Sequence, residues 1–332
     1  MSPDAALHAQ ASALHAEAIR RLGRNARPAA EGGHEGVLAP ELAQRLWGAL
    51  LEERFTPAQE AALLMGLRVH GESPAMLAAF ARASAPHLLA LALDEPLLTL
   101  HCAGRARVHA TAAPLLAILL SRAGVPVLLS TPEADGTACA AGVLRALKLR
   151  PSGSAAEAAA ALSESRLAWW PLAAWAPALA RLMARRAELG FRNSAHSVVK
   201  LLTPAPHGLP VMNYTHPAYR TSLAEAARLL GRSAWLARGT EGDPVAWTTA
   251  THAPQALLRG APGAPPGAEP APPARASTEP REDTSLIAGD DAATARYTLA
   301  VLEGRAPVPA AIAQQVQALR DFAQAAREEQ DA

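Results

Sequence analysis

The sequence predicts an α/β protein in two parts: a small N-terminal α-helical domain over residues 1–95, and a larger α/β domain over 96–332 with a mainly parallel central sheet. Three observations predict it. Apolar residues recur at helical spacing through 38–91; a strand, loop, helix and strand follow one another over 97–130; and helical and strand-like segments then alternate to residue 237. Half of the 332 residues are hydrophobic, enough for a sizeable core and too many for a chain disordered throughout.

The helical part opens with Leu42, Leu46, Leu50 and Leu51 at 3.6-residue spacing. Thr56-Pro57 is a start signal, Thr as N-cap and Pro in the first turn, for a second helix to about Val69 that Gly71 stops. Ser73-Pro74 caps a third helix with Met76, Leu77, Phe80 and Ala81 on its apolar side. Leu97–Cys102 is a short β-like run, a loop crosses 103–107, a helix runs over 114–122 to Gly124, and 125–130 is a buried strand. This is a βαβ unit, and parallel sheets hold ligands at the carboxyl ends of their strands, which points to the 104–107 loop. Helices are expected over 138–147, 155–164, 177–189 (with Gly190 as C-cap) and 221–230, strands over 209–214 and 234–237, and amphipathic helix over 290–324. Residues 170–190 are expected to pack on the helical domain. Residues 259–282 are so rich in Pro and Gly, and so poor in large apolar groups, that they read as a flexible excursion outside any core.

The formal net charge of +1 hides an uneven distribution. Residues 101–200 carry twelve basic against five acidic side chains, and the rest carries nineteen against twenty-five. Such a segment offers either a localised anion-binding face or a solvated arginine-rich surface. Lys148 and Lys200 are the only lysines. Cys102 and Cys139 form neither a disulfide framework nor a C-x-x-C pair, as expected of a reducing, cytoplasmic setting, and no apolar run has signal-peptide or membrane-spanning length.

Arg192, His196 and Lys200 stand at i, i+4 and i+8, so a helix capped by Asn193 or Ser194 would project three cationic or cationisable groups along one face, beside an N-terminus suited to an anion. The other reading is a solvated helix face. Arg105 and Arg107 alternate in the loop after the first strand, beside Gly104, and could face one ligand or be surface arginines. Arg185 joins the candidate phosphate ligands, less specifically, because Arg185 and Arg186 diverge by about 100° on a helix. Trp169, Trp170 and Trp175 read as core packing, with base stacking as the alternative. Glu241 and Asp243 form a carboxylate turn, a solvated loop or a weak divalent-metal site. His101, His109 and His196 are too scattered to suggest metal ligation, and there is no P-loop or H-E-x-x-H.

The segment T-P-A-Q-E-A-A-L-L-M-G-L-R-V-H-G-E-S (56–73) resembles the helical domain of anthranilate phosphoribosyltransferases, and the likeness continues through 123–127, 143–147 and 186–192. The resemblance implies a small α domain joined to an α/β domain, with dimerisation through the helical domains. The catalytic signatures differ. Where those enzymes carry G-T-G-G-D for the pyrophosphate of their substrate, this sequence has His101-Cys102-Ala103-Gly104-Arg105; where they carry K-H-G-N-R, it has Leu129-Ser130-Thr131-Pro132-Glu133. Their magnesium-binding Asp-Glu pair corresponds to the region Gly239-Thr-Glu-Gly-Asp-Pro244. Without cradle and metal carboxylates, phosphoribosyl transfer loses its charge neutralisation.

The run Leu189-Gly-Phe-Arg-Asn-Ser-Ala-His-Ser197, with Lys200, Thr203-Pro204 and Gly239-Thr-Glu-Gly242, is similar to the YbiB-type branch of this fold, noncatalytic homodimers that bind nucleic acid with little sequence preference. In the enzymes Arg192 is matched by an arginine that helps hold the aromatic substrate, while His196 and Lys200 are matched by Asn and Pro. The resemblance therefore implies a homodimer without cofactor or membrane partner, gripping nucleic-acid phosphates with Gly104, Arg105, Arg107, Arg185, Arg192 and Lys200, Asn193 and His196 donating hydrogen bonds. The alternatives are a phosphoribosyltransferase using Mg2+ on Glu241 and Asp243, and a regulatory protein that binds a small phosphorylated metabolite.

Overall fold

The computed structural model describes residues 3–24, 38–102, 111–132, 139–240, 243–246, 254–259 and 290–331. The helical part contains α1 (Pro3–Arg24), α2 (Pro40–Leu51), α3 (Pro57–His70) and α4 (Pro74–Ser84). The Thr56 start signal is a full capping box: Gln59 N–H donates to Thr56 Oγ1 at 3.3 Å, and Thr56 N–H donates to Gln59 Oε1 at 3.0 Å. Gly71, at φ 77°, ends α3, and Ser73 Oγ accepts from Met76 N–H to start α4. Met76, Leu77 and Phe80 are fully buried, and Phe80 stacks on Trp47 of α2 at 4.5 Å. Among the described side chains of helix α1, Ala11, Ala18 and Leu22 are buried, and Leu14 and Ile19 pack against the core beside them. The helix lies close on α3 because Gly66 leaves room: a Cβ there would stand 2.9 Å from Leu22 Cδ1.

The second part is built on β1 (Leu97–His101), β2 (Val127–Ser130), β3 (Leu167–Trp169), β4 (Gly208–Tyr214), β5 (Ala234–Thr240), β6 (Asp243–Ala246) and β7 (Gln255–Leu257). These described strands run in the order β3-β2-β1-β4-β5-β6, with β7 also on β5; β3 to β5 are parallel, and β6 and β7 pair antiparallel with β5. Alternate strand residues feed two cores. Leu97, Leu128 and Met212 face the helical bundle with α7 (Ala155–Ser165), α8 (Leu172–Trp175), α9 (Pro177–Ala184) and α12 (Ala218–Leu229). Leu98, Leu100, Val127, Leu129 and Val211 face α5 (Ala113–Arg122), α6 (Ala140–Ala146) and the C-terminal α14 (Ala310–Asp331). The mainly parallel α/β class with an N-terminal helical bundle is therefore the architecture, and β1 and β2 with α5 between them form the expected βαβ unit.

Several elements depart from the sequence reading. The helix expected over 177–189 breaks at Arg185 into α9 and the single turn α10 (Arg186–Leu189), with Gly190 in the left-handed cap at φ 77°. The C-terminal stretch is two helices, α13 (Asp291–Leu302) and α14, parted around Pro307 and Pro309. Strands β3, β6 and β7, three or four residues long, are not expected from the sequence. Trp170 and Trp175 are fully buried and Trp169 is nearly so, all in core packing. Gly104, Arg105, Arg107, His109, Glu241 and all but Arg259 of the 259–282 segment lie outside the described residues.

Candidate functional site

The strand order reverses between β1 and β4. Their neighbours and connections leave in opposite directions there, and in an open parallel sheet this is where the carboxyl ends of two adjacent strands open a crevice. A pocket of about 140 Å³ occupies it. Its floor is His101 and Cys102 after β1 and Tyr214 to His216 after β4. The pocket is also lined by Arg192, Asn193, His196 and Lys200, by Arg68 and Glu72 from the helical bundle, and by Tyr219 from α12.

The tertiary fold thus brings Arg192, His196 and Lys200 together, by a different route from the one expected. The segment is a four-residue helix, α11 (Ala195–Val198), continued as a 3-10 turn over Val199–Leu201. Ser194 makes no cap, its hydroxyl is buried without a hydrogen-bond partner, and so short a helix offers no N-terminal anion site. Asn193 is spent internally: its Nδ2 donates to Leu182 carbonyl at 2.6 Å and its Oδ1 accepts from Ala195 N–H at 3.1 Å. With 3% exposure it positions the Arg192–Lys200 segment rather than contacting a ligand, which corrects its expected donor role. Arg185 is likewise engaged, its Nε donating to Glu60 at 2.6 Å and its Nη1 to Glu188 at 3.0 Å. The same Glu60, 5% exposed, accepts from Arg181, so these arginines bind α9 to α3 and leave the pocket to others.

Electrostatics divide the three stripe residues. His196 is held neutral, its pKa lowered to about 4, chiefly by burial and then by the Arg192 guanidinium. Lys200 is lowered to about 7 by burial and then by Arg192, and its Nζ donates to the Asn213 carbonyl of β4 at 2.7 Å. The expected row of three cations is therefore one full charge, Arg192, and one amine poised near neutrality. His101 is also neutral, its pKa lowered to about 4 first by burial, with Lys200 adding to the effect; its Nε2–H donates to Leu202 carbonyl at 2.9 Å and its buried Nδ1 has no hydrogen-bond partner. Its ring stacks on Trp175 at 5.7 Å, and Trp175 Nε1–H donates to Ser130 Oγ at the end of β2. Trp169 Nε1–H donates to Thr131 in the same way. Indoles therefore cover Ser130 and Thr131, which are buried, at the strand end where the enzymes carry K-H-G-N-R.

Arg68, Glu72, Tyr214 and Tyr219 escape a reading based on local spacing. Arg68 and Glu72 do sit inside the L-R-V-H-G-E-S run that carries the family resemblance, which was the available signal. The Tyr219 hydroxyl hydrogen-bonds with Arg68 and Ser197, and its pKa is raised, first by burial and then by Glu72. Of the magnesium candidates, Asp243 is described, is 7% exposed, and raises the already buried Cys102 thiol further. Glu241 lies outside the described residues, and no group of three His, Cys, Asp or Glu side chains placed to hold a metal ion is found among the described residues.

Comparison with known proteins agrees with this architecture. Residues 16–86 match the glycosyl transferase family helical bundle domain. The chain is 29% identical over 231 residues to the uncharacterized protein YbiB of Escherichia coli K12, covering 68% of this chain and 70% of that one. It is 31% identical over 214 residues to the anthranilate phosphoribosyltransferase of Desulfitobacterium hafniense Y51, covering 61% of this chain and 62% of the enzyme. The anthranilate phosphoribosyltransferase of Thermus thermophilus superposes with a TM-score of 0.69 at 21% identity, covering 96% of this chain and 90% of that one. The Saccharomyces cerevisiae enzyme, solved with PRPP and Mg, superposes with a TM-score of 0.69 at 15% identity, covering 94% and 89%. The chain therefore has the anthranilate phosphoribosyltransferase fold. No helix among the described residues is long and apolar enough to cross a membrane.

Proposed function

We propose that this protein binds the phosphate backbone of nucleic acids with little sequence preference, as a homodimer, using the pocket between β1 and β4 as one phosphate-seating site on each chain. The observation that carries this reading is the convergence of Arg192 and Lys200 with Arg68 on one crevice at the switch point of the sheet. A guanidinium holds a phosphate by paired hydrogen bonds as well as by charge, and an amine with a pKa near 7 regains its proton when an anion arrives beside it. Phosphate contacts supply affinity and carry no base information, so binding is weakly selective and salt-dependent. The resemblance assigns phosphate contacts to Gly104, Arg105 and Arg107 as well, which lie outside the described residues. Dimerisation through the helical domain is supported by Met65 and Val69, one turn apart on α3 and 46% and 67% exposed.

Fluorescence anisotropy with a labelled oligonucleotide across ionic strength tests this reading. Replacing Arg192 and Lys200 together with Ala is expected to weaken binding about tenfold at low salt and to flatten the slope of log K against log salt by about 1.5, since each lost phosphate contact removes about 0.7–0.9. An unchanged slope overturns the assignment. A second reading, phosphoribosyl transfer, is favoured by the near full-length superposition on an enzyme solved with PRPP and Mg. It predicts a rise in Tm when PRPP and Mg2+ are added at saturation; the indole-covered β2 end argues for no shift.

A further inference from the structure

We propose that Lys200 is an amine nucleophile for the aldehyde of a phosphorylated deoxysugar, either a free sugar phosphate or the opened sugar of an abasic site in a bound strand. This rests on the phosphate-binding reading of the same pocket and goes beyond it to a covalent step. The geometry has three parts. Lys200 lines a pocket of about 140 Å³, room for a sugar phosphate and not for a base-paired duplex. Arg192 lines the same pocket and its charge adds to burial in lowering Lys200, so a phosphate seated on that guanidinium lies in the pocket that holds the amine. Tyr219, hydrogen-bonded with Arg68 and Ser197, offers a protonated hydroxyl to the same pocket, its pKa raised first by burial and then by Glu72.

The chemistry balances without an oxidant or a metal. The Lys200 lone pair adds to the aldehyde carbon, and a proton passes from nitrogen to oxygen to give a carbinolamine. Loss of one water then leaves the imine. The step needs an unprotonated amine, and at pH 7 a lysine with a pKa of about 7 holds roughly a thousandfold more of that form than one at the ordinary value. The Asn213 carbonyl accepts one N–H and can do so from the neutral amine, which keeps its lone pair. The described titratable and charged groups lining the pocket with Lys200 are His101 and His196, both neutral, Cys102, Tyr214, His216 and Tyr219, with Arg192, Arg68 and Glu72.

The chain supplies its own control, because Lys148 is the one other lysine. The full-length protein is incubated at pH 7 with sodium cyanoborohydride and either 2-deoxyribose 5-phosphate or an oligonucleotide carrying one abasic site, and the reduced adduct is mapped by peptide mass spectrometry. The expected result is an adduct at Lys200 at least tenfold in excess of Lys148 with one or both probes, an excess that shrinks by pH 10 and is absent in Lys200→Arg. Labelling with the free sugar phosphate alone assigns a metabolite-type ligand, and labelling with the oligonucleotide alone assigns the strand. Equal labelling of the two lysines, or none at Lys200, overturns the proposal, and because this is read on the unmutated chain it does not depend on how the variant folds. Salt-dependent binding of an intact oligonucleotide without an adduct refutes the covalent step and leaves backbone binding standing. An adduct without such binding refutes backbone binding alone.

Discussion

Two basic clusters stand within twenty residues of each other and have opposite fates. Arg181 and Arg185 of the α9 segment converge on Glu60, whose 5% exposed carboxylate accepts from both at 2.9 and 2.6 Å, and Arg181 also donates to the Leu50 carbonyl at 2.5 Å. Arg192 and Lys200 instead reach the crevice between β1 and β4. The number of cations in a stretch of sequence therefore does not say what they hold. What decides it is where the fold puts each side chain: Glu60 arrives on α3 to close the seam between the helical bundle and α9, while Arg192 and Lys200 line the pocket together with Glu72.

The contrast can be broken most severely at Glu60. Glu60→Gln leaves two guanidinium groups short of their shared acceptor in a largely buried seam, and is expected to cost about 3 kcal/mol in urea unfolding while leaving oligonucleotide binding by the folded protein unchanged. A loss below about 1 kcal/mol would mean that water solvates the seam. Next is Asn193, which belongs by sequence to the pocket segment and by contact to the scaffold. Asn193→Ala is expected to cost about 2 kcal/mol by leaving the Leu182 carbonyl and Ala195 N–H unsatisfied, and to weaken binding only through the displaced Arg192.

Single substitutions then separate the clusters directly. Arg192→Ala is expected to flatten the salt slope by about 0.7–0.9, and Arg185→Ala to leave it unchanged while lowering stability; equal slopes for the two variants would erase the distinction. The smallest effect is in the pH dependence. His101 and His196 are kept neutral by burial, at about 4 against 6.5, so between those values the unfolded chain binds protons that the folded chain refuses. The histidines' contribution to stability is therefore complete above pH 6.5 and falls away as the pH drops toward 4. His196→Gln is expected to recover roughly 1 kcal/mol of that fall, measured as Tm against pH; an unaltered profile would show His196 charged in the fold.

Wherever structure is set by neighbours a few residues away, it was legible in the sequence. The Thr56 capping box, the Gly71 and Gly190 stops and the βαβ unit over 97–130 each rest on local backbone chemistry. Helix α1 was missed because its buried contacts are mostly alanine, which marks a helix poorly as amphipathic. Strands β6 and β7 were missed because their hydrogen bonds come from β5 and not from a pattern of their own. The stripe of Arg192, His196 and Lys200 was found for a partly wrong reason: they share a pocket wall, but through a four-residue helix and a 3-10 turn.

By itself, then, the sequence determined the two-part α/β architecture and the segment that carries the site, because periodicity, caps and turn residues act over a few positions. Only the tertiary structure decided that Arg185 and Asn193 are scaffold, that His196 is neutral, that Lys200 is poised near pH 7, and that Arg68 and Tyr219 complete the pocket. Charge state and partnership depend on desolvation and on groups more than a hundred residues away along the chain. Those are properties of the packed molecule, and no local pattern encodes them.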